Sequence, residues 1–418
     1  MGQGGMARQA RGLRVWVAMG LSVWAAGCAT EPLRPPTVVP LAGESTGDEA
    51  AAGPRWTVEV SAQLREVHIY AMPDCVFVDA EVGKRTPAVR RVACVDAQSG
   101  AWRWTSEQVV TQREPGLWLT PTVVAFKDGR TLHALGRADG VERWSFTDAA
   151  GRPLYDAFTQ GDGLVVNVGN AEVVVLDGPT GAVRRRLDAD GRALVEVVDR
   201  PEGAELILRR VTPGEPARGE LQAVPLGEDG GASAVRWTVP IERWDEPVTK
   251  VGPALIGAFA TGEIWAVASG SGEVLWRLKR SGFGGDLVYS AQRLIVAESR
   301  AEPTMAGVEG HVLRLRGIDP AVAPDRDRIW SFEVPTEFDL LGVEGGEEPT
   351  VLFGATYDRF FVFDEARGAL TWSYHISDRA ELGLWSTASS NGEAVFAFFD
   401  RQGAGPGLLQ RIPIVLER

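Results

Sequence analysis

Four histidines, His68, His133, His311 and His375, are the chain's readiest proton carriers and metal ligands, and their spacing suits neither role. A zinc-type site needs imidazole or thiolate groups a few residues apart on one element; here each histidine stands tens of residues from the next. The run Asp188-x-Asp190-Gly191 has the middle of a calcium loop, yet the acid that such a loop needs at its twelfth position is replaced by Val197, which leaves a polar turn. Asp325 with Asp327, and Glu347 with Glu348, form acid pairs that lack a base or nucleophile beside them in the sequence, and they read as solvated loop charges. There is no Gly-x-Ser-x-Gly elbow and no glycine-rich lysine loop for phosphate. No catalytic residue, cofactor-binding residue or metal ligand is therefore assigned.

The three cysteines carry the remaining chemistry. Arg8, Arg11 and Arg14 precede an apolar stretch from Val15 to Ala26, too short to span a membrane and typical of an export signal. Ala25-Ala26-Gly27-Cys28 resembles the bacterial site at which a cysteine is acylated and becomes the first mature residue, with Ala25 where leucine is usual. Cys28 is the expected lipidation site. The alternative is ordinary cleavage nearby, which would leave a soluble periplasmic protein. Export into an oxidising compartment makes a disulfide between Cys75 and Cys94 the expectation. Facing residues of an antiparallel hairpin keep a constant sum, and 75 with 94 centres the turn between Lys84 and Arg85. The other reading is two free, buried small hydrophobes.

These residues need a scaffold, and the tryptophans supply its period. Trp56, Trp104, Trp144, Trp237, Trp276, Trp330 and Trp372 recur at 39 to 54 residues, with Arg185 where an eighth marker falls. Glycine stands four positions before the marker in five copies: Gly100, Gly140, Gly181, Gly272 and Gly368. Short apolar runs precede each glycine, such as Val92 to Val95 and Val173 to Leu176. Apolar run, tight turn and second strand make a hairpin. Asp96, Asp177 and Asp364, four residues before their glycines, are placed to accept backbone N–H bonds across the turn. Self-similarity at this period predicts an all-β chain, a β-propeller of four-stranded antiparallel blades.

The repeat resembles the pyrroloquinoline-quinone-type propeller repeats, whose blades carry Ala-Leu-Asp-x-x-Thr-Gly-x-x-x-Trp. Val173 to Arg185, with Leu176, Asp177, Thr180 and Gly181, is a close copy except at its last position; Phe361 to Trp372 and Val92 to Trp104 are looser ones. A WD40 reading fits less well, because Trp-Asp occurs only at Trp244-Asp245. Gly230-Gly231, Gly284-Gly285 and Gly345-Gly346 are not placed at one fixed blade position, as a kelch repeat requires.

The two ends complete each other. After Trp372 come three strand-like stretches, Leu382 to Thr387, Glu393 to Phe399 and Leu408 to Leu416, without a closing tryptophan strand; Trp56 to Val60 has no strands before it. Joined, they form one blade and leave no open edge at the seam. The expectation is eight blades closed by the N- and C-terminal strands, over residues 55–418, behind a signal peptide at 1–27 and a lipidated, disordered tether at 28–54. The copies ending at Trp237 and Trp330 are degenerate, with extended turns at Gly227 to Ala234 and Ile318 to Arg328.

Loss of the first 27 residues removes three arginines and no acid, leaving 40 basic against 56 acidic side chains. A net charge of −16 excludes nucleic acid and anionic lipid as partners. No run of 18 apolar residues follows the N-terminus, so membrane attachment is expected through the lipid alone. The layout of signal, lipidated cysteine, tether and propeller resembles the lipidated propellers of outer-membrane protein assembly. That resemblance implies a non-catalytic, cofactor-free scaffold for a protein partner, at the periplasmic face of the outer membrane. The repeats also resemble those of the quinoprotein dehydrogenases, which use pyrroloquinoline quinone and calcium; many carry adjacent cysteines near the cofactor, absent here. A surface lipoprotein with an unknown ligand is a third reading. Binding residues are expected on the connections Asp199 to Gly219, Gly227 to Ala234, Arg300 to Gly310 and Ile318 to Arg328.

Overall fold

The computed structural model describes residues 56–414 except the connections 61–63, 83–87, 112–115, 170–171, 202, 213–217, 227–233, 243–247, 259–262, 280–286, 290–293, 304–308, 323–329, 335–338, 345–350, 356–358, 365–368, 376–383, 391–392 and 401–406. Cys28, the leader and the tether lie outside the described residues, as do both acid pairs at 325–327 and 347–348.

The described residues are all β, without a helix, and fall into eight four-stranded antiparallel sheets. Sheet one is Leu64–Ala71, Cys75–Val82, Ala88–Asp96 and Trp102–Val110, paired in that order. Sheets two to seven repeat this meander over residues 118–147, 154–188, 193–242, 249–279, 287–334 and 339–375. The last sheet takes Leu384–Ser390, Ala394–Asp400 and Gly407–Pro413 and adds Trp56–Val60 as its outer strand, with Trp56 opposite Arg411. Sheets whose burial is described, such as the first three, bury both faces. Second strands such as Gly163–Val168 are buried at every position, as continuous valine-rich runs covered on two sides must be, whereas outer strands such as Val183–Asp188 alternate exposed with half-buried positions.

Apolar clusters join the sheets in chain order. Phe77, Trp104 and Phe126 link one to two; Trp144, Leu164 and Val166 link two to three; Phe396, Leu409 and Val76 link the last sheet back to the first. The first strands also touch between neighbours, including Leu64–Ala71 with Leu384–Ser390. Four-stranded sheets stacked in this manner have the architecture of a β-propeller.

Two expectations need correction. The hairpin of sheet one pairs Phe77 with Cys94 and Cys75 with Asp96, so facing numbers add to 171 and the cysteines are diagonal rather than opposite. Their sulfurs are bonded nonetheless, with Cα atoms 5.8 Å apart, because strand twist draws one diagonal together. The segments 199–219 and 300–310 are in part strand rather than loop. Glu205–Thr212 pairs with Arg218–Pro225, and Leu294–Pro303 with Glu309–Ile318, as long hairpins.

Candidate functional site

The repeated turns between third and outer strands form the most regular polar arrangement in the molecule. In each, the glycine N–H donates to the carbonyl four residues back: Gly100 to Asp96, Gly140 to Gly136, Gly181 to Asp177 and Gly272 to Ala268, at 2.8–2.9 Å. A positive φ lets the chain reverse there, +67° at Gly140, a conformation that favours glycine. The carboxylate of Asp96 accepts the N–H groups of Gln98 (3.1 Å) and Ser99 (2.8 Å) and a bond from Arg103 (2.6 Å). Asp177 accepts from Thr180 and Arg184 in the same way, and Asp139 from Val141 and Arg143.

The tryptophan that docks on each turn comes from the preceding sheet. Trp56 Nε1 donates to the Ala97 carbonyl, Trp104 to Arg137, Trp144 to Gly178, Trp237 to Ser269 and Trp276 to Pro320, at 2.6–3.3 Å. A Cβ built on Gly100, Gly140, Gly181 or Gly272 would come within 3.0 Å of the indole of Trp56, Trp104, Trp144 or Trp237 respectively. The glycine thus has two duties. It reverses the chain and leaves room for a neighbour's ring, and indole plus carbonyl make one latch across the seam.

A second set of charges lies among the opposite connections. Asp148, 3% exposed, accepts Arg152 Nε at 2.8 Å and Nη2 at 2.9 Å together with two backbone N–H groups. Glu172 then receives Arg152 and Arg186 at 2.6 and 2.7 Å. At the same end as the latch turns, Glu205, 1% exposed, sits between Arg200 and Arg236. In sheet one, Asp79 and Arg90 are fully buried and joined by two bonds of 2.7–2.8 Å. Arg90 also donates to the carbonyls of Gly116 (2.8 Å) and Lys127 (3.3 Å) and lies over the Phe126 ring. Lys127 Nζ donates to the Leu154 carbonyl at 2.7 Å, reaching sheet three.

Five of the aspartates are held ionised by their partners. The Asp96 carboxyl lies well below the usual range because the Ser99 amide and Arg103 stabilise its anion; Arg152 does the same for Asp148. Asp139 is lowered chiefly by the Val141 amide, Asp177 by Thr180, and Asp190 by Arg192 and Arg210. An acid fixed as an anion by arginine is poorly suited to proton transfer near neutrality.

The structure disperses the residues considered for chemistry. His133 Nδ1 lies 2.9 Å from Glu142 Oε1 and its ring stacks on Phe126; His68 is in the first strand of sheet one. Asp190 has φ +47° and meets Arg192 and Arg210 in a polar turn. Among the described residues, no group of three His, Cys, Asp or Glu side chains is placed to hold a metal ion. Cys75 and Cys94 are spent in their bond. The buried Asp79–Arg90 pair was missed by the motif reading. Its signal was present: Cys75, Phe77 and Asp79 alternate on one face of the run CVFVDAEV, so an acid had to be buried and matched.

No family model matches the sequence, and no curated protein matches it. Among solved structures, a quinohemoprotein alcohol dehydrogenase from Pseudomonas putida is 12% identical, with 86% of this chain and 76% of that one covered and a TM-score of 0.51. BamB from Moraxella catarrhalis is 14% identical over 87% of this chain and 98% of its own, at a TM-score of 0.49. A quinohemoprotein alcohol dehydrogenase from Comamonas testosteroni stands at 13%, 86%, 76% and 0.49. The resemblance to the pyrroloquinoline-quinone-type β-propeller repeats extends to the fold, at the likeness to the Pseudomonas putida enzyme.

Proposed function

We propose that this chain is a non-catalytic envelope lipoprotein that binds a protein partner, acylated at Cys28, with a role in outer-membrane protein assembly. The eight sheets are read as eight blades of one ring, closed where Trp56–Val60 completes the C-terminal sheet. The observation that carries this reading is the use made of the charged residues. Asp96, Asp139, Asp148, Asp177 and Asp190, the acids whose pKa values are lowered, are all bound to arginines and most also to turn amides. The repeat thus devotes its carboxylates to building a rigid scaffold, and connections on such a scaffold carry recognition. Read as the tether that follows Cys28, the 26 residues 29–54 would span about 5–6 Å times the square root of that number, roughly 25–30 Å. That suffices to hold the propeller clear of the lipid.

Cross-linking in intact envelopes, followed by capture of the protein, tests the role. Recovery of an outer-membrane barrel or its assembly machinery is expected, and mass spectrometry should find acylated Cys28 at the mature N-terminus. A mature N-terminus beyond residue 28 without lipid would leave a soluble periplasmic protein. The rival reading is a quinoprotein dehydrogenase, which shares the repeat. Incubation with pyrroloquinoline quinone and calcium should give neither stoichiometric quinone absorbance nor reduction of an acceptor dye with alcohols or aldoses; quinone binding would overturn the scaffold reading.

A further inference from the structure

Each described sheet ends in an outer strand paired on one side only, so alternate residues turn their N–H and C=O groups away from the sheet. In most sheets the outer stretch that pairs in unbroken register is short. It covers residues 144–147, 185–188, 276–279 and 372–375 in sheets two, three, five and seven, and 330–334 and 56–60 in sheet six and the last sheet. Short edges are poor templates for another chain. Two are longer. Sheet four offers 237–242, but Pro240 stands inside it and has no N–H to give. Sheet one offers 104–110, paired without a shift to 94–88. That stretch holds no proline, glycine or lysine, and its one charge is Glu107.

This longest edge is also firmly held. Arg90, fully buried in its clamp with Asp79, lies opposite Gln108, and Val110 at the far end of the strand is 1% exposed. A preset strand gives up little freedom when another pairs with it. Thr105, Glu107 and Val109 share one face and are all exposed. Val109, at 67%, is the most exposed large apolar side chain among the described residues. Arg91 donates twice to Glu107 Oε1, while Oε2 accepts no bond among the described residues.

We propose that the outer edge of sheet one, residues 104–110, is a docking site for an extended strand of a partner protein, which joins sheet one as a fifth strand. This rests on the reading that the chain binds a protein. Backbone bonds supply the hold, and side chains choose the partner. A β-branched residue fits beside Val109, and a lysine or arginine beside Glu107, whose Oε2 takes the cation. The chain's formal net charge of −13 favours a basic strand further.

The probe is a labelled peptide of threonine and valine with a central lysine, long enough to match residues 104–110. Titrated into the full-length protein, it should bind saturably and slow amide hydrogen exchange at 104–110. The same peptide N-methylated at every residue should bind more weakly by about tenfold or more, because it has no N–H groups to give. Val109→Lys should weaken the parent peptide by a similar factor, whereas Val141→Lys and Val183→Lys, at exposed valines of sheets two and three, should leave its affinity unchanged. Exchange at 104–110 unaltered by the peptide, or equal affinity for the methylated one, would overturn the proposal. The exchange measurement uses the unsubstituted chain and so stands even where a variant does not fold. Protection at 104–110 with no partner captured from envelopes would uphold the edge and remove the assembly role; a captured partner without that protection would do the reverse.

Discussion

Asp79 and Arg90 meet along the same diagonal of the sheet-one hairpin that Cys75 and Cys94 take. Facing residues there add to 171, as Phe77 with Cys94 does, whereas both bonded pairs add to 169. A covalent bond and a two-bond guanidinium clamp therefore pin the same two strands on one face, with Phe77 and Val92 between them. Arg90 also binds the Lys127 carbonyl, so the clamp reaches sheet two.

Removing one member of this pair should be far worse than removing both. Arg90→Met leaves the Asp79 carboxylate buried without its counter-ion, at a cost of about 3–5 kcal/mol. Asp79→Leu combined with Arg90→Met should recover much of that loss. Urea unfolding measures both. A double variant as unstable as the single one would mean that the pair itself stabilises the hairpin.

Gly140 and Gly161 separate the two duties of a left-handed glycine. Gly161 has φ +55° and open space where a Cβ would fall, while Gly140 has φ +67° and the Trp104 indole there. Gly161→Ala should cost about 1–2 kcal/mol from backbone strain alone. Gly140→Ala should add a further ~1–3 kcal/mol, because the ring must be displaced. Equal costs in denaturant unfolding would remove the steric half of the latch.

Trp56 and Trp102 test the closing seam. Trp56 donates to the Ala97 carbonyl and covers Gly100, whereas Trp102 is 41% exposed. Trp56→Ala should lower stability by about 3 kcal/mol or more, and Trp102→Ala by less than about 1 kcal/mol. Similar melting temperatures for the two variants would deny the N-terminal strand its closing role.

The period and strand order were legible because tryptophan and glycine are the residues least exchangeable at a packed turn. Third strands fall where the apolar runs stand, at Ala88–Asp96, Thr131–Gly136 and Glu172–Leu176. Which glycine serves which tryptophan was not legible. Gly100 stands four residues before Trp104 and invites assignment to it, yet it holds Trp56 from the neighbouring sheet. A contact between repeats leaves no short spacing to read. Residues 199–219 and 300–310 read as connections because charges such as Arg209 and Arg210 interrupt the apolar pattern, although the strands Glu205–Thr212 and Leu294–Pro303 run into them.

Reducing the Cys75–Cys94 bond should destabilise the chain without unmaking the fold. The bond closes a loop with a sequence separation of 19, for which chain entropy gives about 3 kcal/mol. Phe77 and the Asp79–Arg90 clamp remain to hold the strands. Cys75→Ala with Cys94→Ala should lower the denaturant midpoint and leave the far-ultraviolet circular dichroism unchanged. An unaltered midpoint would mean that the hairpin is already fully constrained without the bond.

Acid should loosen the latches, and the sign follows from the carboxylates. Asp96 is held ionised by the Ser99 amide and Arg103, and Asp148 by Arg152, so both have folded pKa values below their unfolded ones. Between those values the unfolded chain binds more protons, which makes stability rise with pH. The contribution is complete above an unfolded pKa of about 3.9 and is lost as pH falls through the folded value. The melting temperature should therefore not change through these groups between pH 7 and 5, where their contribution is full, and drop steeply below about pH 4. Asp96→Asn should melt lower at neutral pH and fall less steeply in acid, since Asn retains an acceptor for the Ser99 amide but cannot titrate. Stability that rises on acidification, or an Asp96→Asn variant with the parent's acid slope, would show that the turn carboxylates do not hold the sheets together.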